Sequence, residues 1–185
     1  MKAEEAADAH ELKTPSPIFR SRGSVARPLH PCTWFSDDTL YAPAMLLFLV
    51  SAVAAGSSFS CTPTRVWDGD GPIWCAEEPK VRLAGIAARE IDETCKPGHP
   101  CPRTSGKAAR DNLVALIGQP RGQSREGHVL VSGKPLRCTS YGSGKGERTA
   151  ASCSNAAGED LGCAMVRSGY ALRWPQYDRQ RNLCR

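Results

Sequence analysis

No stretch of this chain offers the roughly 20 consecutive apolar residues that a membrane-crossing helix needs. The longest such run, AMLLFLVSAVAA (Ala44 to Ala55), has 12 residues, so a stable membrane span is excluded. No internal repeat is present, which removes repeat arrays from consideration. At 185 residues the chain has room for one core and an extension but not for two full cores. Positive charge is only modestly in excess, with 24 Lys and Arg against 19 Asp and Glu. That surplus lies wholly in the second part: residues 1–54 carry five basic and six acidic side chains, leaving 19 basic and 13 acidic for 55–185. An anionic partner is favoured there, mildly.

The short apolar run ends in Ala52, Val53 and Ala54, the small-x-small pattern that a signal peptidase accepts. Its nearest upstream cation is Arg27, but translation from Met45 would place the free amino terminus directly before it. Residues 1–43, with Pro15, Pro17, Pro28, Pro31 and Pro43, are expected to be a disordered leader or an over-long gene start. Residues 44–56 form the signal region, and 57–185 the domain. Cysteine usage agrees: of nine cysteines, only Cys32 precedes residue 55, and the remaining eight suit an oxidising compartment, either secreted or periplasmic. Ser58, Phe59 and Ser60 are a poor approach to a lipid-modified Cys61.

Residues 61–76 predict a hairpin with Asp68, Gly69, Asp70, Gly71 and Pro72 at its tip. Cys61 and Cys75 are equidistant from Asp68 and are expected to bond. Cys138 and Cys153 flank a second hairpin in the same way, and Cys95 and Cys101 enclose a turn-rich loop, leaving Cys163 and Cys184. Spacing alone does not select one pairing of eight cysteines from about 105. Cys95, His99 and Cys101 also lie close enough to raise zinc, against which stand their unfamiliar spacing and an oxidising location. Two helices are expected, one capped by Thr104 or Ser105 and stopped by Gly118, the other capped by Asp160 and stopped by Gly169. Strands, a helix, a hairpin and a second helix predict a small, disulfide-stabilised α+β protein built on a closed antiparallel sheet.

The chemistry-bearing segments are VWDGDGPIWC, RLAGIAARE, SYGSGKGERTAAS and VRSGYA, in that order. Together they resemble the staphylococcal nuclease (thermonuclease) family over roughly residues 62–177. The resemblance implies an OB-fold-like five-stranded antiparallel barrel with packed helices. It also implies a monomeric, exported, Ca²⁺-dependent endonuclease that hydrolyses DNA and RNA with little sequence preference. Asp70 matches a metal carboxylate, Arg82 and Arg148 the arginines on the reactive phosphate, and Glu90 the acid beside the attacking water. Tyr141 and Tyr177 match aromatic contacts to the nucleotide. Plainer roles exist for each: Asp70 as a turn cap, Arg82 in a structural ion pair, Glu90 as a surface acid, and the tyrosines in packing. The sequence departs from the family at Ala87, where a second metal aspartate is expected, and at Arg89, where a proline is expected. Either Asp92 or Glu93 replaces the missing oxygen, or the cation is held more weakly, or catalysis is lost. In that last case the domain is an OB-type module binding nucleic acid or protein.

Overall fold

Period-two alternation of apolar and polar residues lays down most of the architecture. The computed structural model describes residues 52–178 together with Leu183 and Cys184. The proposed leader and most of the signal region, residues 1–51, lie outside the described residues. Strands β1 (Ser58–Cys61), β2 (Pro63–Val66), β3 (Ile73–Cys75), β4 (Lys80–Leu83) and β5 (Ile86–Ala87) precede helix α1 (Gly106–Ile117). Then come β6 (Gln119–Gln123), β7 (Val129–Ser132), β8 (Leu136–Ser143), β9 (Arg148–Ser154), helix α2 (Leu161–Arg167), β10 (Leu172–Arg173) and a 3₁₀ turn at Pro175–Tyr177.

Eight strands form one sheet in the order β1-β8-β9-β4-β3-β2-β7-β6, while β10 and β5 make a separate pair. The result is a mixed α+β domain. Two details differ from the expected five-stranded closed barrel. The β4–β9 pair is parallel, and the sheet does not close. Its two open edges are β1, paired only with β8, and β6, paired only with β7. No helix among the described residues is long and apolar enough to cross a membrane.

The core gathers Val66, Ile73, Val81 and Leu83 from the sheet with Leu113 of α1 and Leu161 and Met165 of α2. The helices start where expected: the Ser105 side chain accepts from the Ala108 N–H and that of Asp160 accepts from Cys163 N–H, satisfying donors that each first turn leaves unpaired. Gly118 follows α1, and Gly169, at φ +74°, follows α2.

All four expected cysteine pairs are at bonding distance. Cys61–Cys75 and Cys138–Cys153 pin their hairpins, with Cα separations of 4.9 and 4.1 Å. Cys138 and Cys153 are direct cross-strand partners. Cys95–Cys101 closes its short loop, and Cys163–Cys184 ties α2 to the C-terminal segment. With Cys95 and Cys101 bonded to each other, neither is a thiolate that zinc would require.

The segment before β1 is also docked. Val53, within the expected cleavage signal, accepts a hydrogen bond from Ser140 Oγ at 2.7 Å and donates its N–H to Thr149 Oγ1 at 3.0 Å. Both hydroxyl-bearing residues are buried.

Core packing and capping contribute on different scales. Leu113→Ala, at a fully buried position, should cost about 2–5 kcal/mol, and Ser105→Ala about 1 kcal/mol. Urea unfolding of both variants checks the order; an equal loss from each would mean α1 is not packed as described.

Candidate functional site

Register brings two arginines to one place. In the parallel β4–β9 ladder Lys80 lies opposite Arg148 and Arg82 opposite Ala150. Residues two apart share a face, so Arg82 and Arg148 stand on the same side while Val81, Leu83, Thr149 and Ala151 turn into the core. Both line a pocket of about 590 Å³, a size that holds a small ligand. Lys96 and Lys145 line it too, and none of the residues in its wall is Asp or Glu. Residues 144–147 form the turn between β8 and β9, so Arg148 opens its strand.

Asp70 lies behind Arg82 rather than in open solvent. The sequence suggests an exposed hairpin tip, but Asp68, Gly69, Asp70 and Gly71 are all buried. Gly69 explains why: a Cβ there would meet Ala109 Cβ of α1 at 2.5 Å and Ala88 Cβ at 2.9 Å. The missing side chain lets the helix close over the tip. Asp70 Oδ2 accepts from Arg82 Nη2 at 2.6 Å and from Ala88 N–H at 3.3 Å. The structural ion pair weighed for Arg82 is therefore present, and the same residue also faces the pocket.

Asp68, not singled out from sequence, is the third partner. Burial first, then the charges of Asp70 and Glu90, push its carboxyl up to about 8. Burial raises Asp70 as well, but Arg82 and the Ala88 amide oppose it. Both carboxyls are raised, and the two share a side-chain hydrogen bond. Glu90 is near enough to act on both aspartates electrostatically, and its Oε1 pairs with Lys96 Nζ at 2.8 Å. A Cβ on Gly106 would lie 2.0 Å from the Glu90 carbonyl oxygen, so that glycine lets α1 approach the Glu90 loop.

Asp92 and Glu93, the acids expected to compensate for Ala87, make their hydrogen bonds elsewhere. Ala87 is fully buried and pairs with Leu172. Asp92 Oδ1 accepts from Thr94 N–H and Oγ1, and Glu93 Oε2 accepts from the Gly106 N–H, which engages both acids locally. Arg89 clamps backbone: its guanidinium donates to the Glu93 and Pro102 carbonyls. Among the described residues, no three His, Cys, Asp or Glu side chains already stand as a metal-holding group.

Tyr141 and Tyr177 both line the pocket. Tyr141 Oη donates to Ser152 Oγ at 3.3 Å, and Tyr177 is 56% exposed. Sequence reasoning missed Trp174, whose ring lies 4.4 Å from Tyr177 and 4.2 Å from His99. Its signal was an aromatic residue shortly after VRSGYA. Burial, Arg82 and Lys96 hold His99 below the ordinary histidine range.

No protein-family model matches this chain, and no curated protein matches it at a significant level.

Folded Asp68 keeps its proton to about pH 8, whereas its unfolded counterpart loses it near 3.8. The native state binds the additional proton between those values, so this group makes stability fall as pH rises through that window. Thermal midpoints should decline between about pH 5 and about pH 8 in the parent and decline less in Asp68→Asn. A slope unchanged by the substitution would assign the dependence to another group.

Proposed function

We propose that this chain is an exported phosphodiesterase of the nuclease type, taking DNA or RNA into the Arg82–Arg148 pocket. The observation that carries the proposal is the shared cationic face of β4 and β9, with Asp70 immediately behind Arg82. Two guanidiniums beside one phosphate can bind its oxygens and stabilise the charge that develops during P–O cleavage. Tyr141, Trp174 and Tyr177 give the pocket aromatic surface on which a base can stack. Four disulfides are in keeping with export.

The resemblance implies Ca²⁺, and the local donor chemistry suits a hard cation. Asp68, Asp70 and Glu90 offer only oxygen, and their mutual repulsion favours added positive charge. Asp70, assisted by Asp68 and Glu90, would hold the ion; Ala87 contributes only a methyl group. When bound, such an ion supplies Lewis acidity to the phosphoryl group and acidifies water. Glu90 would accept the water proton once Lys96 leaves it, while Arg82 and Arg148 would orient the phosphate. An OB-type fold is part of this proposal, and the antiparallel run β2–β3–β4 with the helices packed on the sheet is in keeping with it.

A second reading is a non-catalytic module that binds nucleic acid through the same pocket. It is favoured by the existing Asp70–Arg82 and Glu90–Lys96 pairs together with Ala87.

Plasmid and RNA digestion by the purified chain, with Ca²⁺ and with EDTA, distinguishes the readings. Chelator should abolish cleavage, and Arg148→Ala or Glu90→Gln should each lower its rate about 100-fold. Parent-like cleavage by both variants would refute the proposed catalytic roles. Chelator-insensitive binding without turnover would establish the second reading.

A further inference from the structure

The loop between β5 and α1 has a construction that the roles of Arg82, Glu90 and Arg148 do not explain. Cys95 and Cys101 close a ring only six positions long in sequence separation. Within it, Lys96 and His99 both line the pocket that holds Arg82 and Arg148. Lys96 rests its ammonium on Glu90 at 2.8 Å with 54% of its side chain exposed, leaving it accessible to an incoming anion. His99 packs against Trp174 at 4.2 Å. Arg89 holds the approaches to this ring through the Glu93 and Pro102 carbonyls. The bridge itself is near the surface: Cys101 is exposed, whereas Cys61, Cys75, Cys138, Cys153 and Cys163 are buried.

A lysine on an open loop loses side-chain and backbone freedom when it grips a phosphate. A short covalent ring removes much of the backbone part beforehand. This arrangement is suited to recognition of a charged strand, because Lys96 needs only to exchange Glu90 for a phosphate across the same cavity. The exchange also releases the carboxylate assigned to proton acceptance.

We propose that the Cys95–Cys101 ring is a disulfide-locked arm of the nucleic-acid pocket, presenting Lys96 to a backbone phosphate and His99 as the support of Trp174. This inference rests on the proposed nucleic-acid function. It assigns binding residues on a segment that is separate from the two phosphate arginines.

The test uses the full oxidised chain and a fluorescent oligothymidylate in EDTA, with anisotropy read at about 50 and about 200 mM salt. Lys96→Gln should weaken binding about tenfold and reduce the salt slope by about 0.7, the value for one single-strand phosphate contact. Lys96→Arg should restore most of the affinity. Cys95→Ser with Cys101→Ser should weaken binding about threefold or more, and adding Lys96→Gln to that pair should cost less than it does in the parent. Circular dichroism establishes whether the double-serine variant is folded; the exposed Lys96 variants test the arm independently of it. Parent-like affinity and salt slope for Lys96→Gln would overturn the arm while leaving the pocket reading intact. Failure of the parent to bind the oligonucleotide would overturn both.

Discussion

The buried pair between Asp70 and Arg82 sets the relation between the fold and the pocket. The contact is 2.6 Å, with only 5% of the Asp70 side chain and 14% of the Arg82 side chain exposed. In such surroundings either charge alone is costly, although the pair need not add net stability compared with an apolar replacement. Its consequence is positional. The β2–β3 tip is fastened to β4 by this pair and by the Leu83 N–H donating to the Asp70 carbonyl at 2.9 Å. Gly69 then allows α1 to cover the tip, placing a carboxylate behind the guanidinium instead of at the protein surface.

From that junction, alternation distributes the chemistry. Val81 and Leu83 feed the core; Arg82, between them, reaches the cavity. The parallel neighbour does the same, with Arg148 and Ala150 on the cavity side and Thr149 and Ala151 inward. One-residue slippage would reverse both faces and bury two arginines. The apolar requirements of the core therefore protect the register on which the cationic pocket depends.

Locally encoded features were the most legible in the sequence. Ser105 and Asp160 cap helices because their oxygens satisfy N–H groups three residues ahead. Cys138 and Cys153 meet because antiparallel strands pair outward from the turn, and Cys61, at the end of β1, reaches Cys75 beside the β2–β3 pair. The eight-stranded open sheet was less legible, since β1 joins β8 through contacts remote in sequence and its short segment carries no unique partner signal. Asp70, Arg82 and Arg148 were identified by their motif, but the burial of Asp70 was not: Asp-Gly-Asp-Gly has the composition of an exposed turn, and only the facing Ala109 and Ala88 show that the tip is covered. Asp68 escaped notice for the same reason. Trp174 and His99 meet from distant segments, so their ring contact is a tertiary property.

Under the proposed function, Ala87 stands where a metal-binding aspartate is expected. A chain that needs several oxygens around a divalent ion has one donor fewer there, and Asp92 and Glu93 are engaged elsewhere, Asp92 by Thr94 and Glu93 by the first N–H of α1. Charge in this region is instead balanced residue by residue: Arg82 on Asp70, Lys96 on Glu90 and a proton on Asp68. Each balance is reversible by a different event. Phosphate can draw Lys96 and Arg82 toward the pocket, while positive charge at the aspartates favours loss of the Asp68 proton. Under the proposed function, strand binding and cation binding thus assist one another, since the first uncovers carboxylate oxygens that the second requires.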